Sequence, residues 1–190
     1  MKESKEILRA KILDAAIVLF IEKGIDKTST RDLTEHVGIS RSHIYHYFSD
    51  WQALCIEALE RFIHRELEEF EQQTQALSSR DQLNALIVSF LPEAADASWQ
   101  LYGSLWQQAA HDDAYADLAV LVTQKWIAVI AGIIEQGIKN GTFKETDTAR
   151  AARQLGAMLN GYADLLIIRP APEECRIALA DIEHFVSLIL

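Results

Sequence analysis

Apolar residues recur at helical spacing along almost the whole chain. The first stripe predicts a helix over residues 5–23 that ends at Gly24. Its apolar face consists of Ile7, Leu8, Ile12, Ala15, Ala16, Leu19 and Phe20. No segment has the sustained alternation of apolar and polar residues that is typical of a half-buried strand. The pattern therefore predicts an all-helical (all-α) fold.

The same spacing predicts further helices in the rest of the chain. A long helix over 50–77 would join an N-terminal head to a larger body. The other helices are expected at 80–94, 97–110, 113–140, 147–168 and 173–190. Gly141, Pro170 and Pro172 mark the clearest breaks, because glycine often ends a helix and proline disrupts its interior.

Residues 28–54 have the pattern of two short helices joined by a tight turn. Ser29 and Asp32 have the spacing of a reciprocal N-terminal cap, which predicts a helix over 30–37. Gly38 can adopt the left-handed conformation that ends a helix, and Ser40 can cap the next one. This arrangement is a helix-turn-helix.

The second of these helices is predicted as a rigid rod over 40–47 with Ile44 and Phe48 facing inward. Its outward side chains, none of them acidic, are Arg41, Ser42, His43, Tyr45, His46 and Tyr47. Arg and His can donate hydrogen bonds to base edges, and the Thr30 and Tyr hydroxyls can donate to phosphate oxygens. The pattern favours DNA binding over its alternative, a generic polar helix surface, which would ordinarily include acidic residues.

Charge is distributed unevenly along the chain, which has 190 residues and a net charge of −10. Residues 1–50 hold eight basic and eight acidic residues, so the whole excess of negative charge lies in 51–190. An acidic body would repel DNA and leave the head to approach it, helped by Lys2, Lys5, Arg9 and Lys11. We therefore predict a helix-turn-helix domain at 1–50 and a helical domain at 51–190.

The head resembles the DNA-binding domain of the TetR family of transcriptional repressors over residues 6–60. The resemblance is carried by Thr30, Arg31, Gly38, Ser40, Arg41, Tyr45 and Phe48. More loosely, residues 105–113, 141–147 and 157–162 resemble the ligand-binding half of the BetI-like branch. The resemblance implies a DNA-binding head of three helices and a C-terminal domain for ligand binding and dimerisation.

Trp51 departs from the family pattern, which usually has a phosphate-binding Lys near the start of the fourth helix. An indole N–H can still donate one hydrogen bond to a phosphate, but it lacks the charge that releases counterions. Alternatively, Trp51 packs against the first helix. The full set of expected DNA-binding residues is Thr30, Arg31, Arg41, Ser42, His43, Tyr45, His46, Tyr47 and Trp51.

The last two predicted helices are unusually apolar for surface elements. One chain would have difficulty covering both faces, and two copies could pair them in a four-helix bundle across a two-fold axis. The residues expected at this homodimer interface are Leu155, Met158, Leu159, Tyr162, Ile182, Phe185, Val186 and Ile189. The alternative, that these stripes are ordinary core, must hold for part of them.

Aromatic residues in the middle of the chain suggest a ligand pocket. Trp99, Tyr102 and Trp106 share one helix face, and Phe90 and Trp126 are available from neighbouring helices. Aromatic walls bind flat apolar molecules and, with nearby carboxylates, organic cations. These rings could equally fill the core, and only the family resemblance favours a pocket for a small-molecule inducer, whose identity the sequence leaves open.

Other chemistry is poorly supported by the sequence. Cys55 and Cys175 are far apart and lack zinc-binding spacing. Neither the adjacent residues His111, Asp112 and Asp113 nor the pair Glu60 and His64 completes a catalytic or metal site. We expect no enzymatic activity, no metal and no cofactor. The N-terminus lacks the apolar core of a signal peptide, and no uninterrupted apolar run approaches about 18 residues. We expect a cytoplasmic protein that does not span a membrane.

The sequence thus predicts a ligand-responsive transcriptional regulator. A repressor that binds a palindromic double-stranded DNA operator as a dimer and is released by an inducer fits best, and activation remains open. The alternative is a helical protein that binds a small molecule or partner and retains a vestigial DNA-binding head. The neutral net charge of residues 1–50 and the presence of Trp51 give that alternative some support.

Overall fold

The computed structural model describes residues 5–94 and 96–190, so Lys2 lies outside the described residues. Within them the chain forms nine α-helices and no strand, which confirms the all-helical prediction. The helices are α1 (Lys5–Lys23), α2 (Thr30–Val37), α3 (Arg41–Ile44), α4 (Trp51–Thr74), α5 (Ser79–Ser89), α6 (Ala97–Ala109), α7 (Asp113–Lys139), α8 (Thr148–Ile168) and α9 (Pro172–Ile189).

Most helix ends follow from local sequence signals. Gly24 and Gly38 have φ values of +91° and +76°, the left-handed conformation that glycine adopts without steric cost, and they follow α1 and α2. The side chain of Asp147 accepts the Arg150 N–H at the start of α8. Pro172 is the first residue of α9, where its missing N–H has no helical partner to lose.

Contacts divide the chain into two compact units. The first unit consists of Met1–Glu66 and Gln100–Ala119, and the second consists of Leu67–Trp99 and Val120–Leu190. The core of the first unit includes Ile12, Ala16, Phe20, Leu33, Ile44, Leu54 and Leu59, each at most 1% exposed. The predicted domains at 1–50 and 51–190 are a different division of the chain and stay a prediction.

An ion-pair cluster joins α1 to α4 inside the first unit. The Arg61 guanidinium donates to both carboxylate oxygens of Asp14, at 2.8 and 3.2 Å, and Arg65 Nη1 lies 3.1 Å from Asp14 Oδ1. The hydrogen bond from Arg61 is the main cause that lowers the pKa of Asp14 from its usual value. The cluster fixes one side of α1 against α4.

The core of the second unit corrects part of the predicted dimer interface. Leu155, Leu159 and Ile182 are 0% exposed and Val186 is 8% exposed, because α8 and α9 pack on each other and α9 also packs on α5. Their side chains are therefore core of the single chain and do not form its surface. Met158, Tyr162, Phe185 and Ile189 are half-buried against the same core.

Within the described part of the chain, α7 is the one helix long and apolar enough to cross a membrane by length and composition. Its best 18-residue window has a mean hydropathy of 1.7. A single helix of this kind is weak evidence for a membrane span, because core helices of soluble proteins pass the same test. Ile130, Ile133 and Ile134 of α7 belong to the core of the second unit.

Candidate nucleic-acid interface

The helix-turn-helix begins with a tightly held cap on α2. The Ser29 N–H donates to Asp32 Oδ2 at 2.9 Å, and the Ser29 side chain accepts the Asp32 N–H in return, as the spacing predicts. Lys23 Nζ lies 2.5 Å from Asp32 Oδ1 and links the end of α1 to α2. The hydrogen bonds from Lys23 and then Ser29 hold the pKa of Asp32 well below its usual range.

The rod predicted over 40–47 is wrong in its length. Regular helix covers only Arg41–Ile44, and the chain then continues in turns. The Tyr47 N–H donates to the Ile44 carbonyl at 2.9 Å and the His46 N–H to the His43 carbonyl at 3.2 Å, the three-residue spacing of a tightened helix end. Aromatic and His residues favour helix weakly, and Phe48 must turn into the core just before α4 begins.

The predicted inward and outward directions are confirmed despite the shorter helix. Ile44 is 0% exposed and Phe48 is 3% exposed. Arg41, Ser42, His43 and His46 are exposed, and Tyr45 and Tyr47 are half-buried. We call the six residues Arg41, Ser42, His43, Tyr45, His46 and Tyr47 the reading face. It carries hydrogen-bond donors and aromatic rings and no carboxylate.

Contacts arrange the reading face into two small clusters. In one, the Thr30 and Tyr45 hydroxyls lie 3.2 Å apart, and Arg41 Cζ lies 5.6 Å from the Tyr45 ring centroid. In the other, the rings of His43 and Tyr47 stack with centroids 5.6 Å apart at 28°. The His46 ring meets Tyr47 edge-on with centroids 5.5 Å apart. These contacts restrict the side chains before any partner arrives.

Two predicted contact residues at the flanks have partners within the head. The Arg31 Nε donates to Glu35 Oε1 at 2.8 Å along α2, and its side chain is 86% exposed. Trp51 meets the Phe20 ring of α1 edge-on, with centroids 6.5 Å apart at 88°. This geometry favours the packing alternative for Trp51.

Two cations of α1 lie against the same segment, a contact that does not follow from the sequence pattern. Lys5 Nζ is 5.9 Å from the Tyr47 ring centroid, and Arg9 Cζ is 5.1 Å from that of Phe48. From the sequence, both residues were expected only to attract DNA at long range. Their spacing of four residues, which puts them on one face of α1, was the available signal.

The five aromatic residues predicted to line a pocket fall into two clusters. In the second unit the Phe90 centroid lies 5.3 Å from that of Trp99 and 5.5 Å from that of Trp126, and Phe70 contacts Trp126 at 5.9 Å. In the first unit Tyr102 lies between Phe62 and Trp106, at 5.8 and 6.3 Å. The spacing in the sequence did not distinguish these two sets.

The second unit has a groove of about 580 Å³ that was not predicted from the sequence. It is lined by residues of α4, α5 and α7: Leu67, Phe70, Glu71, Thr74, Gln75, Gln82, Lys125, Ala128, Val129, Gly132 and Ile133. Its walls are mainly apolar, with the carboxylate of Glu71 and the ammonium of Lys125 among them. Across residues 5–94 and 96–190, no three His, Cys, Asp or Glu residues come together in a way that could hold a metal ion.

An all-helical chain with a capped helix-turn-helix and a reading face free of acid defines the class of helix-turn-helix DNA-binding proteins. Residues 12–58 match the bacterial regulatory proteins of the tetR family, and residues 79–190 match the C-terminal domain of BetI-type transcriptional repressors. The chain belongs to the TetR family of transcription regulators, as the resemblance predicted. It is a DNA-binding regulator and not an enzyme.

Individual relatives agree with this family. The transcriptional repressor KstR2 of Rhodococcus jostii is 29% identical over 140 residues, which are 72% of this chain and 68% of that protein. The regulator BetI of Burkholderia ambifaria is 22% identical over 191 residues, covering 98% of this chain and 95% of BetI. A Saccharomonospora viridis protein, described as a transcriptional regulator and solved in complex with choline, has a TM-score of 0.80 and 22% identity over 95% of this chain and 97% of its own.

Proposed function

We propose that this protein is a ligand-responsive repressor that binds a palindromic operator as a homodimer and leaves it when a small molecule binds. The observation that carries the proposal is the acid-free reading face, held in place by the Thr30–Tyr45 contact. A dimer would present two such faces to successive major grooves, roughly 34 to 36 Å apart. Since operator DNA is cytoplasmic in bacteria, the repressor would act in the cytoplasm.

In this proposal the exposed donors of the reading face contact DNA directly. Arg41, Ser42 and His43 enter the major groove and donate to base edges. The hydroxyls of Thr30 and Tyr45 donate to phosphate oxygens and set the docking register. His46 and Tyr47 of the reading face and Arg31 beside it make the remaining contacts with the DNA backbone. Trp51 lies next to them at the start of α4 and packs on Phe20.

Exposed apolar residues on α8 and α9 support the homodimer. Ile168 is 82% exposed, Leu188 66%, Leu165 65% and Ile177 46%. A second copy that packs its own α8 and α9 on this surface would bury these side chains in a four-helix bundle. The half-buried Met158, Tyr162, Phe185 and Ile189 would extend the interface, and Leu155, Leu159, Ile182 and Val186 would support it from the core.

The groove of the second unit is the proposed ligand site. Its volume lies within the usual range for small-molecule sites, and its lining combines apolar side chains with several polar ones. Phe70 of its wall contacts Trp126, which contacts Phe90 and thereby joins the groove to the predicted aromatic residues of this unit. The choline complex of the structural neighbour suggests an organic cation, for which Glu71 supplies a carboxylate and Phe70 a ring. Tyr102 and Trp106, which were predicted to line the same pocket, belong to the first unit and are not part of this groove.

The test begins with a DNA duplex that the wild-type chain selects from a random-sequence library. The proposal expects a two-fold symmetric site, protected at two half-sites one helical turn apart. Arg41→Ala should weaken binding by about 5- to 100-fold, the usual effect of losing a base contact. The matched control Lys139→Ala removes an exposed cation of α7 and should bind normally. Selection of no duplex, or normal binding by Arg41→Ala, would contradict the proposed interface.

Ligand response is tested by titrating the selected complex with choline. The Gly132 position has open space around an added Cβ, so a larger side chain there can occupy the groove. Gly132→Trp should abolish release by choline, and Gly132→Ala should preserve it. Release that is equal in both variants would place the ligand elsewhere, and no release would exclude choline as inducer.

A further inference from the structure

The reading face lies on a helix that is too short to be stable by itself. Arg41–Ile44 is a single turn, and isolated helices shorter than about 12 residues are marginal in water. Its start is held by the Ser40 side chain, which accepts the His43 N–H at 3.3 Å. Its end is held by Phe48, which is 3% exposed and whose N–H donates to the Ile44 carbonyl at 3.2 Å. The orientation of the face therefore depends on what fixes Phe48.

One side chain of α1 reaches both Phe48 and α4. The Arg9 guanidinium lies over the Phe48 ring, with Cζ 5.1 Å from the centroid, and its Nη2 donates to Glu57 Oε2. A guanidinium is flat and carries donors along its edge, so it can stack on a ring and hold a carboxylate at the same time. Arg9 thus connects α1, the end of the reading segment and α4.

We infer that Arg9 is a positioning residue for the reading face and that it does not act as a phosphate contact. This inference rests on the proposed function, in which the reading face enters DNA. The carboxylate of Glu57 offsets the charge of Arg9, whose side chain is 41% exposed and lies against the Phe48 ring. Arg9 therefore acts on DNA through Phe48, by keeping the turn from Tyr45 to Phe48 in one conformation.

The alternative, that Arg9 attracts phosphates by its charge, predicts the opposite effect of Glu57→Gln. If charge mattered, removal of Glu57 would release Arg9 toward DNA, tighten binding and steepen its dependence on salt. If Arg9 positions Phe48, the same substitution loosens the guanidinium and weakens binding. The sign of the change separates the two mechanisms.

The experiment measures binding of the full-length variants to the duplex selected by wild type, over a series of KCl concentrations. Arg9→Lys keeps the charge and loses the flat stacked fork. Arg9→Lys and Glu57→Gln should each weaken binding about five- to twenty-fold with an unchanged salt slope. The control Glu60→Gln removes the same charge from an exposed position of α4 and should not weaken binding. Wild-type affinity of Arg9→Lys, or tighter binding by Glu57→Gln, would overturn the inference.

A second measurement requires no DNA and separates this inference from the proposed function. Amide hydrogen exchange of the DNA-free protein should become faster at 45–48 in Arg9→Lys and Glu57→Gln, and should match wild type in Glu60→Gln. Exchange elsewhere in the head reports whether the variants remain folded. Faster exchange in variants of a chain that selects no duplex would support the positioning role of Arg9 and contradict the proposed DNA-binding function. Unchanged exchange at 45–48 would contradict the positioning role of Arg9, whatever the variants' affinity for DNA.

Discussion

The hydroxyls of Thr30 and Tyr45 lie 3.2 Å apart and hydrogen-bond α2 to the turn that follows α3. Both residues were predicted from the sequence as phosphate donors, and the structure brings their oxygens together. Tyr45 is half-buried and its ring also lies beside the Arg41 guanidinium. These two contacts of Tyr45 thus order both a proposed phosphate donor and a proposed base-reading side chain.

Tyr45→Phe should weaken binding to the selected duplex by about 2- to 12-fold, because it removes one hydrogen bond of about 0.5 to 1.5 kcal/mol. Thr30→Val removes the same bond from the other side. Equilibrium titrations of DNA with both single variants and the double variant form a double-mutant cycle. We expect the double variant to lose less than the product of the two single losses, since the two hydroxyls are coupled. Fully multiplicative losses would mean that the pair acts as two independent groups.

Trp51→Lys should act on DNA binding and on stability in opposite directions. An added charge near the phosphates should tighten binding and increase the magnitude of the logarithmic salt slope by about 0.9. Loss of the edge-on contact with Phe20 should lower the free energy of unfolding by about 1 kcal/mol or more. Anisotropy titrations in KCl and urea unfolding measure the two effects. An unchanged salt slope would place residue 51 away from the phosphates.

Leu165→Glu combined with Ile168→Glu should produce monomers, because it places two charges in the proposed interface. Sedimentation at micromolar concentration should show a dimer for wild type and a monomer for this variant, which should also lose tight binding to the symmetric duplex. The control Val88→Glu alters a 60% exposed apolar residue of α5 and should remain dimeric. A dimer that survives the double substitution would require another interface.

Asp14→Asn should reduce stability at neutral pH and have little effect in acid. The folded-state pKa of Asp14 is lowered, so its ion pairs stabilise the fold above the unfolded-state pKa of about 3.9 and this contribution is lost as pH falls through the lowered pKa. The groups are more than a third exposed, so solvent screening limits the expected loss to about 0.5 to 1 kcal/mol. Urea unfolding from neutral pH down to acid measures this loss of unfolding free energy, with the exposed Asp26→Asn as control. A pH-independent difference would contradict the ion-pair mechanism.

The sequence predicted the end of α1 and both ends of α2 to the residue, because these helix ends are set by neighbours in the chain. Gly24, Ser29 and Gly38 each act within one helical turn of their position. The length of α3 was not predictable in this way. It is decided by the burial of Phe48 and by contacts from α1 and α4, which lie far away in the sequence.

Helical periodicity also has a limit in the second unit. It identified α8 and α9 as apolar. A repeating apolar stripe does not distinguish a face that packs in the core of its own chain from one that packs on a second copy. Leu155 and Ile182 proved to be core, whereas Leu165 and Ile168 are exposed. The groove was harder still to predict, since Ala128, Gly132 and Phe70 come from distant segments and carry no distinctive chemistry.

Both native thiols are buried, and burial raises the pKa of Cys55 to about 12 and also raises that of Cys175. Almost no thiolate is therefore present near neutrality to react with a maleimide dye. A cysteine introduced at exposed His36 would be labelled selectively while the native sequence stays otherwise intact. Fluorescence energy transfer between two labelled copies could then follow the separation of the heads directly, with and without inducer.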